Sequence, residues 1–331
     1  MPGPITHLVF YKQLKERLSG NVLSAMPGYD GYSVFAQGHD LLIYHDFYKI
    51  STTKRLNENL RQSDLLQEYF FPEFIYSCLR NAKRLGVLDH GQIRAFLGPG
   101  YIAHHILDAY THPFIIYQAG DHIRDPQKPT WMHGIVENCI DVFVMEQGGM
   151  MDEQHRLWKK FSFSKKQVDP ALTAILDASM EEVYGIQSGG KMLCKAMSQL
   201  SLYMRLLKQD RTGIKRKIFD AADPLLKGTA SFSYHRSSGD ASIYLNEEHV
   251  PWCNPMDDSI RSSESFMELY HKALDRSVEV IEGLEEICRS GEINRDKIVA
   301  VVPDIASTHG LACGQTIKIN FSKPYHPCKQ H

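Results

Sequence analysis

The stretch from His104 to Glu137 constrains this chain most, because it repeats metal-binding residue types at helical spacing. His104, Asp108 and His112 recur at every fourth position, which places their side chains on one stripe of an α-helix. After a polar loop that contains proline, His133 and Glu137 repeat the same spacing at the start of a second apolar segment. Two antiparallel helices could therefore face each other with these ligands inward, as in metal-binding helical bundles.

A single histidine on an apolar helical face is more often a structural core residue than a metal ligand. This stretch instead places three imidazoles and two carboxylates on the apolar sides of adjoining helices. Burying these groups without a compensating cation is costly, because ionisable side chains are rarely buried unpaired. The pattern therefore favours a metal site.

Composition narrows the class of protein. The 331 residues are 43% hydrophobic, which is enough for a sizeable core and for one large domain or two modest ones. The formal net charge of −2 weighs against a nucleic-acid partner. No signal peptide and no apolar run of transmembrane length are recognisable, so we expect a soluble, cytoplasmic protein. The seven cysteines never occur in CxxC spacing, which argues against disulfides and a thiolate zinc site.

Apolar residues recur at helical spacing along most of the chain, without a βαβ rhythm or an internal repeat, so we expect an all-α fold. Thr6 is expected to cap the first helix, and the Gly98–Gly100 stretch to be a kink or a close-packing point in the third. Loop-like composition covers 231–255, and 308–325 is expected to form a strand or a packed extended arm. The predicted helices cover about 6–20, 57–85, 91–114, 131–147, 170–184, 189–208, 214–220, 264–289 and 296–302.

This ligand set predicts a reaction class. Histidines and carboxylates without thiolates suit zinc in hydrolytic sites, and the number of carboxylates favours two or three Zn²⁺ ions. Paired metal ions can hold both the attacking and the leaving oxygen of a displacement at phosphorus, so we expect phosphoester hydrolysis. Phosphate-binding glycine loops, nucleophile elbows and Cys/His nucleophile patterns are absent from the sequence.

Four motifs together resemble the zinc-dependent phospholipase C family, and most closely its cytosolic bacterial branch without a signal peptide. They are TH at residues 6–7, GxDLLIYH at 38–45, HxxxDxxxHP at 104–113 and HxxxE at 133–137. The resemblance is dense over residues 1–147 and weaker in VPWCNP, SESFMELYHKALDRSVEVIEGL and STHGLACG. It implies an all-α bundle, shared with single-strand nucleases, that holds a zinc cluster in a cleft. Residues 1–147 would carry most ligands, and 148–331 would complete the domain.

The resemblance also implies a role for each ligand. His104, Asp108 and Asp40 resemble ligands of a first zinc, with Asp108 bridging to a third. All protein ligands of the second zinc would come from three side chains, His112, His133 and Glu137. The third would be held by His7 and by the N-terminal amine, which belongs to Met1, or to Pro2 if the methionine is removed. Asp40 would also be the catalytic base that orients the attacking water.

Two departures from the family pattern affect the first zinc. No histidine occurs between His45 and His90, where the family has a further ligand. Asp64, His45 or His90 is therefore expected to substitute, or the first zinc is held weakly. The proline of the usual Gly-Pro-Asp turn is replaced by His39, which adds a candidate ligand.

Three functions remain open from the sequence. The first is a phosphodiesterase that acts on phospholipid head groups or a related small phosphodiester. The second is a nuclease-like activity with the same chemistry, and the third is a metal-binding protein that no longer hydrolyses. The sequence leaves the head group, the oligomeric state and contact with a membrane surface undetermined.

Overall fold

The computed structural model describes residues 2–46, 53–120, 132–150, 156–208, 212–215, 217–218, 221 and 242–315. These residues are mostly helical, which confirms the all-α prediction. The α-helices are α1 (Pro4–Arg17), α2 (Gly20–Ser24), α3 (Leu41–Tyr44), α4 (Thr53–Glu68), α5 (Phe71–Arg84), α6 (Gly91–Ala95), α7 (Ala103–Ala119), α8 (Met132–Gln147), α9 (Leu157–Lys160), α10 (Pro170–Tyr184), α11 (Gly189–Tyr203), α12 (Ser242–Leu245), α13 (Phe266–Ser290) and α14 (Arg295–Val301).

Several shorter elements connect these helices. Two 3₁₀-helical segments cover Tyr29–Asp40 and Lys165–Gln167, and two π-helical segments cover Phe96–Ile102 and Met204–Lys208. Strands β1 (Trp252–Cys253) and β2 (Arg261–Ser262) pair antiparallel. Within the described residues, no helix is both long enough and apolar enough to cross a membrane.

Helix α7 lies at the centre of the fold. All of its residues except Tyr110 and Tyr117 are buried, because the helix is apolar on nearly every face. It packs against α8, α13, the 3₁₀-helical segment Tyr29–Asp40 and the π-helical segment Phe96–Ile102. The histidine and aspartate side chains of α7 are therefore held inside the protein.

The structure corrects three expected helix boundaries. The first helix begins at Pro4 with Gly3 as its N-cap, so Thr6 lies inside the helix. The helix expected over 57–85 is broken at Phe70, whose φ of 57° is left-handed, and the next helix begins at Phe71 with Pro72 in its first turn. The helix expected over 91–114 is interrupted by a π-helical segment, in which the Gly-Pro-Gly sequence opens the regular hydrogen-bond ladder.

Two predictions for the second half of the chain fall partly outside the described residues. Of the loop expected over 231–255, the described part contains α12 and β1. Of the arm expected over 308–325, the part up to 315 forms turns and a single bridge between Ile305 and Ala312. The helix expected over 214–220 is described only at 214–215 and 217–218, which are helical.

Candidate metal centre

Five side chains from three elements converge beside α7. Helix α1 supplies His7, the 3₁₀ segment supplies His39 and Asp40, and α7 supplies His104 and Asp108. All five are buried, and Asp40 is the most accessible at 4% exposure. Two groups have donor atoms that all lie within 4.8 Å of one another, namely His7, Asp40 and His104, and His39, His104 and Asp108.

Asp108 connects the members of this cluster. Its Oδ1 atom lies 3.2 Å from Nε2 of His7, and its Oδ2 atom lies 3.2 Å from Nε2 of His104. The same Oδ2 atom is 3.8 Å from Nε2 of His39. Asp40 approaches from the other side, with Oδ2 at 3.8 Å from His104 Nε2 and Oδ1 at 3.3 Å from His39 Nδ1.

Although His7 and His104 approach Asp108 to 3.2 Å, most of these buried donor atoms make no well-formed hydrogen bond in the described residues. They are Nδ1 and Nε2 of His7, Nδ1 of His39, Oδ1 of Asp40, Nε2 of His104 and both carboxylate oxygens of Asp108. Buried polar atoms are normally hydrogen-bonded, because an unsatisfied one costs about 1–3 kcal/mol or more. Cations bound beside Asp108 would satisfy several of these atoms. The buried His/Asp groups could therefore hold a metal ion.

The electrostatics of the cluster keep most of its ligands in the form that binds metals. Burial, and next the charge of His104, lower the pKa of His7 and hold that of His39 well below its ordinary value. Burial raises the pKa of Asp108, but His104 and His7 outweigh it and hold that pKa well below its usual range. Burial also raises the pKa of Asp40, to about 7.

The backbone fixes the orientation of the His104 ring. Its Nδ1–H group donates to the carbonyl oxygen of Ala36 at 2.9 Å, so Nε2 carries the lone pair that faces the cluster. Gly38 makes this approach possible, because it has a φ of 44° and an added Cβ would lie 2.7 Å from the His104 ring. The ring also stacks on His7, with centroids 3.9 Å apart.

Asp141 of α8 fixes the position of His7 through the start of α1. Its carboxylate accepts hydrogen bonds from the backbone amides of Ile5 and Thr6 and from the Thr6 hydroxyl, at 2.7–3.2 Å. A carboxylate at a helix N-terminus is favourable, because free amides and the helix dipole both attract negative charge. Gly3 permits this contact, since an added Cβ would lie 2.2 Å from Asp141 Oδ2.

A second set of side chains lies one turn further along α7. Nε2 of His112 is 3.2 Å from Nε2 of His133, and the latter atom is 2.9 Å from Oε1 of Glu137. His112 is buried, whereas the side chains of His133 and Glu137 are 38% and 21% exposed. The structure brings these three residues together in pairs. Unlike the donor atoms of the two buried groups, theirs do not form a set in which all lie within 4.8 Å of one another in the described residues.

The proposed substitutes for the missing family histidine are not brought into either three-residue group. His90 lies at the surface, with Nδ1 at 2.8 Å from the carboxylate of Asp169. Asp64 is exposed on α4, and His45 is buried at the C-terminal end of α3. Pro2 is buried, and Met1 lies outside the described residues. Instead, His39 approaches His104 and Asp108, the residues that the family resemblance assigns to the first zinc.

The C-terminal loop adds contacts that the sequence analysis did not assign. The Ser307 hydroxyl lies 3.4 Å from Nε2 of His39, and the Ile305 carbonyl accepts a hydrogen bond from His105. Nε2 of His309 lies 2.9 Å from the carboxylate of Glu68, and both residues are buried. The STHGLACG motif contains two of these residues, but no spacing rule relates it to α4 or to His39.

Comparisons with protein-family models, with curated proteins and with solved structures give no match.

Proposed function

We propose that this protein is a zinc-dependent phosphodiester hydrolase that acts on a phospholipid head group or a related small phosphodiester. The observation that supports it most is the buried set of imidazole and carboxylate atoms around Asp108, most of which make no well-formed hydrogen bond in the described residues. Such a set is costly unless a cation neutralises it. The set contains nitrogen and oxygen donors and no thiolate, which is typical of zinc in hydrolytic sites.

The directions of the Asp108 oxygens support more than one ion. Oδ1 faces His7 and Oδ2 faces His104, so this carboxylate could bridge two ions. His104 contributes one free nitrogen, because its Nδ1–H group is bonded to Ala36. The two buried three-residue groups share that nitrogen and therefore cannot each take it for a separate ion. We infer one ion at His39, His104 and Asp108, and another between His7 and the other oxygen of Asp108; Asp40 lies 3.8 Å from the His104 nitrogen of the first site.

The second set supports an additional ion nearby. His112 and His133 bring two ring nitrogens within 3.2 Å, a contact in which at most one ring can donate a proton to the other. A shared cation satisfies both lone pairs, and Glu137 provides a carboxylate to balance its charge. His112 follows Asp108 by one helical turn, which corresponds to a rise of about 6 Å.

Bound zinc ions would supply electrophilic assistance at phosphorus and lower the pKa of water. The chain itself would orient that water and accept its proton. Asp40 fits this role because it is the most accessible residue of the buried cluster. The partly exposed His133 and Glu137 side chains give the site contact with solvent, where a head group could enter.

An assay of the purified, zinc-loaded protein tests this function. The substrates are phosphatidylcholine, sphingomyelin, a small chromogenic phosphodiester and single-stranded DNA, with product analysis for each. We expect hydrolysis of a lipid or of the small diester, and loss of that activity in Asp40→Asn but not in the surface control His90→Ala. Cleavage of DNA alone would support the nuclease-like alternative. Zinc binding without any hydrolysis would support the metal-binding alternative.

A further inference from the structure

The end of α11 and the segments that follow it expose several large aliphatic side chains. Ten large hydrophobic side chains in the described residues are strongly exposed, and four of them lie between 202 and 218. They are Leu202, Leu206, Ile214 and Ile218, with exposures of 42%, 50%, 59% and 59%. Single exposed aliphatic residues are ordinary, but a concentration of them indicates an interaction surface.

Cationic side chains surround these aliphatic groups. Arg205 and Lys159 both lie over the Trp158 ring, at 5.5 and 5.7 Å from its centroid. Nζ of Lys215 lies 3.3 Å from the carbonyl oxygen of Arg205, which brings Ile214 towards the end of α11. Among the described cations of this stretch, Arg205 and Lys217 are exposed and Lys215 is partly exposed, whereas Lys208 is buried. We call this surface the docking patch; its residues are Trp158, Lys159, Leu202, Arg205, Leu206, Ile214, Lys215 and Ile218.

The docking patch is connected to the candidate metal centre. Tyr203 of α11 packs against Tyr44, four residues after Asp40, with ring centroids 4.7 Å apart. Lys208, at the end of the π-helical segment, donates to the side-chain oxygen of Asn138 at 2.8 Å. Asn138 directly follows Glu137 on α8. The elements that carry the patch therefore also contact the elements that carry the metal-binding side chains.

We propose that the docking patch binds the surface of an anionic phospholipid bilayer. Aliphatic side chains surrounded by lysine and arginine, with a tryptophan beside them, are typical of surfaces that insert into the interfacial region of a membrane. Lysine is depleted at protein–protein interfaces, so this composition favours a lipid surface over a protein partner. Each cation near an anionic leaflet adds to the attraction. The link to catalysis rests on the proposed function, whereas binding to the bilayer does not.

Sedimentation of the whole protein with lipid vesicles tests this proposal. One set of vesicles contains phosphatidylcholine alone, and the other contains equal parts of phosphatidylcholine and phosphatidylserine. We expect binding to the mixed vesicles that weakens as salt is raised, because salt screens charge. Equal binding to both vesicles, or no binding to either, would overturn the proposal, and the second result would favour a protein partner for the patch.

Paired variants locate the surface. Leu206→Ser with Ile214→Ser should weaken binding by about tenfold or more, since each removes aliphatic area from the interface. The matched control is Leu85→Ser with Val250→Ser, whose side chains are 49% and 54% exposed elsewhere on the surface. Lys159→Glu with Lys215→Glu should weaken binding similarly, whereas Arg84→Glu with Arg289→Glu carries the same charge change at other exposed positions. If the control pairs weaken binding as much as the patch pairs, the surface is assigned incorrectly.

The same vesicles separate this proposal from the proposed function. Asp40→Asn and the wild-type protein should bind mixed vesicles equally, because the docking patch does not include the metal ligands. Binding without hydrolysis of any lipid would contradict the proposed function and support the docking patch. Hydrolysis of dispersed lipid without vesicle binding would support the proposed function and contradict the docking patch.

Discussion

Oδ2 of Asp108 lies 3.2 Å from Nε2 of His104, one turn earlier on the same buried helix. The other oxygen of Asp108 lies 3.2 Å from Nε2 of His7, on a different helix. A carboxylate with its two oxygens directed at different histidines has the geometry of a bridging ligand. This relationship makes Asp108 the residue on which the proposed cluster depends most.

Substitution of the two aspartates should separate metal binding from turnover. Asp108→Asn should lose much of the zinc, because it removes the charge shared by His7 and His104. Asp40→Asn should retain more zinc but lower turnover by about 10²–10⁴, the usual contribution of a general base. Zinc analysis and phosphodiesterase assays on the same samples measure both effects.

Circular dichroism should show that both aspartate variants keep their helical content. If Asp40→Asn retained full activity, the assignment of the base would be wrong.

His39→Ala should weaken zinc at the His104 end of the cluster by at least about tenfold, since even second-shell changes cost that much. His90→Ala should have no effect, because His90 pairs with Asp169 at the surface. Stepwise chelation followed by zinc-edge anomalous scattering gives the order of loss. Unchanged zinc retention in His39→Ala would exclude His39 as a zinc ligand.

Asp141→Ala should destabilise the protein by about 3 kcal/mol, because it leaves buried donors of Ile5 and Thr6 without their charged acceptor. It should also lower zinc content, since His7 lies on the same first turns of α1. Asp30→Ala is the matched control, as this carboxylate is 79% exposed in its ion pair with Lys15 and should contribute little. Denaturant unfolding compares the two variants. A similar loss of stability in both would contradict the anchoring role of Asp141.

Zinc retention should fall as the pH decreases, because ligands must be deprotonated to bind metal. Burial lowers the pKa of His104, but Asp108 and Asp40 outweigh it and raise that pKa above its ordinary value of 6.5. Protons should therefore compete with zinc at His104 as soon as the pH approaches neutrality from above. Dialysis at a series of pH values with zinc analysis measures this effect. Constant zinc content from about pH 7.5 to about pH 5 would contradict a histidine-containing site.

The sequence predicted the parts of the site that depend on local spacing. The stripe of His104, Asp108 and His112 lies on one buried helix, as their spacing of four residues predicts. The approach of His39 to Asp108 could not be predicted in the same way, because it depends on the left-handed Gly38 and on packing between distant segments. Position in the sequence instead suggested Asp64, His45 and His90 as substitute ligands.

Errors in the helix boundaries have a related origin. Thr6 has the residue type of an N-cap, yet Pro4 begins the helix earlier and the Thr6 hydroxyl instead bonds Asp141, 135 residues away. Apolar periodicity continues through Phe70, so it does not reveal the break that the left-handed backbone makes there. Contacts of the C-terminal loop, such as that of His309 with Glu68, likewise join residues that are far apart in the chain.

The zinc content of the purified protein after exhaustive dialysis tests the central claim most directly. Inductively coupled plasma mass spectrometry should find at least two zinc ions per chain in the wild-type protein. This number follows from the bridging geometry of Asp108 and from the separate set formed by His112, His133 and Glu137. A value of one ion or none per chain would contradict the metal cluster.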